Sequence, residues 1–131
     1  MNFSQLKSDD QPLLDTVRHE FLQLEGAPWV EVKPAGKRNR SFFNALLKLT
    51  ARLRRQGEKD VTLEYIERVE SETRKLYAEH VVVAIGGWTD EDGEEIPSNS
   101  EAFMALCTAL PEELFSEIVE VAGDEGSFRG A

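Results

Sequence analysis

The chain has little of what catalytic and metal sites are usually built from: one cysteine, Cys107, and two histidines, His19 and His80, in 131 residues. A single thiol excludes an intramolecular disulfide and a thiolate-rich zinc site, and it fits a reducing compartment. Cys107 falls in Phe103-Met104-Ala105-Leu106-Cys107, where it reads as a small apolar helix residue rather than a reactive nucleophile. Long apolar runs are missing as well. The longest candidate, Val81 to Ile85, is far short of the ~18 residues that a membrane span needs. Met1 to Gln11 carries Lys7, Asp9 and Asp10 where a secretory signal would be apolar, so the protein is expected to stay in the compartment where it is made. Neither histidine belongs to a nucleophile or zinc motif, and Gly86-Gly87 lacks the lysine and hydroxyl residue of a phosphate-binding loop. The sequence therefore assigns no catalytic, metal-binding or cofactor-binding residue.

Charge is abundant and unevenly placed. Fifteen Lys and Arg stand against 25 Asp and Glu, a net charge of −10 that opposes nucleic-acid binding. Between positions 33 and 59 lie Lys33, Lys37, Arg38, Arg40, Lys48, Arg52, Arg54, Arg55 and Lys59, with Glu58 the one acid. From Val61 onward seventeen acids face Arg68, Arg74, Lys75 and Arg129. Solvated helix faces, complementarity within the chain and head-to-tail contact between copies each account for such a split. The segment Asp90-Glu91-Asp92-Gly93-Glu94-Glu95 invites a calcium-loop reading, with Glu101 in the last-ligand position. That reading fails because Glu95 stands where the loop needs glycine, and Pro97 where it needs a backbone amide. It reads instead as a solvated turn closed by Asp92-Gly93.

At 14.8 kDa, with 40% hydrophobic residues, the chain suits one domain over 1–131, its ends 1–11 and 124–131 loosely held. Pro12 to Leu24 is expected to hold a short helix, although Glu20 to Glu25 could also be an extended strand. In the second case Phe21 to Leu24 would form a hairpin with Trp29 to Val32, whose alternation suits a short strand ending at Pro34. Ser41 to Gln56 is the clearest helix, with Phe42, Phe43, Ala45, Leu46, Leu49 and Leu53 on one face, Asn39 or Ser41 as N-cap, and Gly57 as stop. A second long helix from Thr62 aligns Leu63, Ile66, Val69, Thr73, Leu76, Tyr77 and Val81, and Val81 to Ile85 is taken as its apolar end. After a loop from Trp88 to Pro97, the capping-box sequence Ser98-Asn99-Ser100-Glu101 opens a helix with Ala102, Phe103, Leu106 and Cys107 inward. Pro111 starts the last helix, with Leu114, Phe115, Ile118, Val119 and Ala122 as its stripe, and Phe128 anchors the tail. The expected fold class is mainly α, a single compact helical domain with a short β-strand or hairpin near the N-terminus.

Taken in order, Leu76-Tyr77-Ala78-Glu79-His80-Val81-Val82-Val83, then Trp88, then Asp90-Glu91-Asp92-Gly93-Glu94-Glu95-Ile96-Pro97, then a helix pair and Phe128 form a pattern. It resembles the tail assembly chaperones of long-tailed bacteriophages and prophages. Trp29-Val30-Glu31-Val32-Lys33-Pro34-Ala35-Gly36, followed by Asn39 and Phe42-Phe43, extends the likeness upstream. The chain departs from the pattern in having Ser98-Asn99 after the proline and Trp88 after Gly87. The resemblance implies a non-enzymatic protein of the host bacterial cytoplasm, absent from the mature virion. It would bind the helical tape measure protein while tail tube subunits polymerise, need no cofactor or membrane, and self-associate. For self-association the charge split nominates Arg52, Arg54 and Arg55 against Asp90, Asp92 and Glu94. Trp88, Gly93 and Pro97 are the candidate structural residues of the loop. A structural tail or neck protein of the virion is the alternative, and a nucleic-acid-binding regulatory module using residues 33–59 is the third reading.

Overall fold

Trp29-Val30-Glu31-Val32 alternates in period two, and the alternation is realised as strand β2 (Trp29–Val32). Val30 and Val32 are fully buried while Trp29 and Glu31 are half-buried. The structure is a computed structural model that describes residues 13–55 and 62–129. β2 is the centre of a three-stranded antiparallel sheet in the order β1-β2-β3, flanked by β1 (Val17–Glu20) and β3 (Val82–Gly86). β1 runs opposite β2 with Val17 against Val32 and Glu20 against Trp29. Its half-buried Val17 and His19 thus share the inner face with Val32 and Val30, and fully buried Phe21 follows directly.

β3 pairs with β2 through Val30–Ile85 and Val32–Val82, with a bulge opposite Glu31 and Val32. Val83 is the extra residue, since Glu31 faces Ala84 and Val32 faces Val82. Val82 and Ile85 are three positions apart and would point to opposite faces of a regular strand. The bulge brings both into the core, each 4% exposed. At the far end of this ladder Trp29 lies opposite Gly86, and a Cβ at Gly86 would come within 2.4 Å of its indole ring. Gly87, with φ +77°, packs against Pro28. Close approach by Pro28 and Trp29 is what the glycine pair permits.

Four α-helices of the described residues cover the inner face: α1 (Arg40–Arg55), α2 (Leu63–His80), α3 (Ser100–Ala109) and α4 (Glu112–Gly123). α1 and α2 are antiparallel neighbours, joined by the edge-on contact of Phe42 with Tyr77 (5.4 Å) and by the Arg52–Glu72 ion pair (3.1 Å). One buried amide ties their ends together. Asn39 Oδ1 accepts from the Phe42 amide (3.2 Å) and the Ser41 hydroxyl (3.1 Å), capping α1, while Nδ2 donates to the carbonyl of His80, the last residue of α2 (2.6 Å). Thr62 caps α2 by accepting from the Tyr65 amide at 3.1 Å. The core joins Phe21, Val30, Val32, Val82 and Ile85 to Tyr77, Val81, Phe103, Cys107, Phe115, Ile118 and Phe128.

Several expectations are corrected. The fold is mixed α/β rather than mainly α, because two segments read as helix are strands. Val82–Gly86 is β3, not the end of α2, which stops at His80. Its β-branched residues find a ladder partner in β2, which a helix would forgo. Within the expected N-terminal helix, Val17–Glu20 is β1, and this strand, not Phe21 to Leu24, makes the hairpin with β2. The connection is closed by bonds from the Phe21 amide to the Pro28 carbonyl (2.8 Å) and from the Ala27 amide to the Leu24 carbonyl (3.1 Å). Ser98 is not the cap of α3: Asn99 accepts from the Ala102 amide (2.8 Å), while the Ser98 hydroxyl accepts from the Ile85 amide (3.0 Å). The C-terminal segment is held more firmly than expected, since Glu125–Phe128 forms a 3-10 turn with Phe128 fully buried. The Leu14 amide also donates to the Phe128 carbonyl at 2.6 Å. Expectations for residues 1–12, for Gln56, Gly57, Glu58 and Lys59, and for 130–131 lie outside the described residues.

Candidate functional site

The acidic segment folds into a small hairpin of its own. The Asp90 amide donates to the Glu94 carbonyl (2.9 Å), the Ile96 amide to the Trp88 carbonyl (2.8 Å), and Thr89 bridges Glu95. Asp90 Oδ1 accepts from the amides of Asp92 (2.9 Å) and Glu94 (3.0 Å), and Gly93 turns the chain with φ +79°. Trp88 fastens this hairpin to the domain. Its Nε1 donates to the Trp29 carbonyl at 3.0 Å, and its ring meets Phe21 edge-on at 5.5 Å. Pro97 is exposed at the exit. Asp90 thus serves the turn with its own carboxylate, while Asp92 and Glu94 are exposed.

The arginines nominated as their partners are at the far end of α1. Arg52 pairs with Glu72 of α2, whereas Arg54 and Arg55 are exposed. Lys48, Arg52 and Arg55 line a shallow cationic cleft with Glu72 and Leu76. Within one chain the ion-pair partner of Arg52 is Glu72 of α2.

A different surface stands out, and the sequence reading missed it. Leu63 and Ile66 open the apolar alignment of α2 at helical spacing, yet they are 71% and 49% exposed. Ile66 and Val69 instead form one wall of an open groove of about 610 Å³, with Tyr65 beside them, Leu53 at the end of α1, and Phe115 and Val119 on α4. Glu70, Glu112 and Glu120 stand around it. Val119, expected in the stripe of α4, is 36% exposed here. The signal was present in the sequence as an apolar stripe at helical spacing, but spacing does not say what covers a stripe.

Arg74 also went unrecognised. It is 9% exposed and lies over the Phe115 ring at 4.7 Å. Nη1 donates to the carbonyls of Cys107 (2.9 Å) and Leu110 (2.5 Å), closing the C-terminal end of α3. Burial pushes the neighbouring Cys107 thiol up to about 12, against a smaller lowering by the Arg74 charge, so it is a neutral core group. Arg74 shares a helix face with buried Tyr77 and Ala78, and an arginine at such a position was the readable sign.

Among the described residues no group of three or more His, Cys, Asp or Glu is placed to hold a metal ion, and no buried side-chain nitrogen or oxygen lacks a partner. No helix among them is long and apolar enough to cross a membrane. What the surface offers is an open, largely apolar groove with carboxylates at its edge. Comparison with curated proteins and with solved structures gave no match. A family model described as YdaY prophage protein matches residues 37–130. That span runs from the loop before α1 through the 3-10 turn, so the chain belongs to the YdaY prophage protein family.

Proposed function

We propose that this protein is a non-enzymatic tail assembly chaperone of a prophage, which binds the helical tape measure protein and keeps it available while tail tube subunits assemble. The observation that carries the reading is the groove between α1, α2 and α4. A chaperone for a long amphipathic helix needs an apolar trough with a charged rim, and the trough around Ile66, Val69 and Val119 has Glu70, Glu112 and Glu120 beside it. Membership of a prophage family supports the same context. The client would reach the host cytoplasm with the chaperone and leave with the tail, the chaperone remaining behind.

The test is co-expression with the tape measure protein of the same prophage. The wild-type chain is expected to raise the soluble share of the tape measure protein several-fold, and Ile66→Glu, which puts a charge in the trough, to abolish the gain. Circular dichroism of the variant checks that it folds. A tape measure protein equally insoluble with and without the wild-type chain would end this reading, and abundant copies in purified particles would replace it with a structural virion protein.

A further inference from the structure

The groove also carries information about the chemistry of its occupant. Its apolar surface comes from three helices, with Ile66 and Val69 one turn apart on α2 and Phe115 and Val119 one turn apart on α4. Glu112 and Glu120 are two turns apart on α4, about 12 Å along the axis, and Glu70 stands across from them on α2. Glu70 lies 3.6 Å from Arg74 and is partly neutralised. Glu112 and Glu120 are exposed and have no ion-pair partner among the described residues. An apolar trough with an unpaired negative edge on α4 attracts a ligand of the complementary kind.

We infer that this groove binds a cationic amphipathic helix of a partner protein: apolar side chains at i, i+3 or i+4, and i+7 enter the trough, and lysine or arginine flanks meet Glu112 and Glu120. The inference rests on the chaperone reading and narrows it to a class of client segment. The rim works more by selection than by affinity, because exposed ion pairs are weak and screened by salt, whereas an acidic flank facing Glu112 and Glu120 is rejected.

The experiment uses the full chain and two labelled synthetic helices with the same leucine spacing, one flanked by lysine and one by glutamate, followed by fluorescence anisotropy. The lysine-flanked helix should bind about tenfold more tightly at low salt, with the difference shrinking towards about 0.5 M salt. Glu112→Lys with Glu120→Lys should invert the preference. Glu91→Lys with Glu94→Lys, the same charge change placed on the acidic hairpin, should leave the order of preference intact. Equal binding of both helices, or an inversion by the hairpin variant as well, overturns the inference. So does a dimer of the free chain that dissociates on Val119→Glu, because a second copy then fills the groove. Loss of the preference with undiminished solubilisation of the tape measure protein overturns this inference alone. A clear lysine preference without any solubilisation supports the groove chemistry and overturns the chaperone reading.

Discussion

Helix α2 has two halves of similar apolar spacing and opposite fates. In the C-terminal half, Arg74, Tyr77 and Ala78 are buried under α3, α4 and the sheet. In the N-terminal half, Leu63 and Ile66 are open to solvent on the same continuous helix. The difference lies in what the rest of the chain supplies. α3 is only ten residues long and its last turn ends over Arg74. α4 meets α2 at the Phe115–Tyr77 contact, and Val119, one turn further on, lines the open groove rather than covering Ile66. Helical periodicity therefore reports which face is apolar and is silent on whether this chain or another one covers it.

Substitutions that separate the two halves should differ by an order of magnitude in their effect on stability. The largest is expected for Tyr77→Ala, which removes a ring set edge-on against both Phe42 and Phe115. It should cost about 4 kcal/mol in urea unfolding followed by tryptophan fluorescence. Next comes Arg74→Met, which keeps the packing bulk but leaves the carbonyls of Cys107 and Leu110 without their donor. The expected loss is about 2 kcal/mol, and Cys107 provides an independent readout. Its thiol titrates near 9 when unfolded and is held up to about 12 when folded. That contribution to stability is complete below about pH 9 and lost as the pH climbs towards 12. At neutral pH the folded protein should resist thiol reagents, and Arg74→Met should speed labelling about thirtyfold if global opening governs access. Smallest is Leu63→Ser, expected to change stability by no more than about 0.5 kcal/mol. A loss as large as that of Arg74→Met would mean that the N-terminal half is covered after all, and the contrast would collapse.

Much of the helical part was legible in the sequence. α1 and α3 carry caps and apolar faces strong enough to place them within a residue or two, as Phe42, Leu49, Phe103 and Cys107 attest. The strands were harder, for reasons that particular residues explain. In β3 the bulge at Val83 breaks the alternation that would have announced a strand, leaving an apolar run that suits helix or strand alike. In β1 the inward set Val17, His19 and Phe21 includes a half-buried histidine whose Nε2 is 3.1 Å from Glu117 of α4, a pairing invisible without the tertiary fold. Leu13, Leu14, Val17, Phe21 and Leu24 meanwhile imitate a helical stripe. The acidic hairpin was read correctly as a turn, although its fastening through Trp88 to the Trp29 carbonyl depends on two segments 59 positions apart. The apolar stripe of α2 was legible, but the groove was not, because it is a property of uncovered surface shared by three helices.

Asn39 gives the helix pair a mechanical character. By gripping the first turn of α1 and the last carbonyl of α2 at one buried amide, it makes that end a fulcrum close to the sheet. The groove lies at the other end of the pair, where Leu53 of α1 faces Ile66 of α2. α1 spans 16 residues, a lever arm of about 24 Å, so a tilt of about 5° would move its tip by about 2 Å, roughly the van der Waals radius of a methyl group. A tilt of this kind, resisted by the Arg52–Glu72 ion pair, would change the width of the trough more than the spacing of the strands.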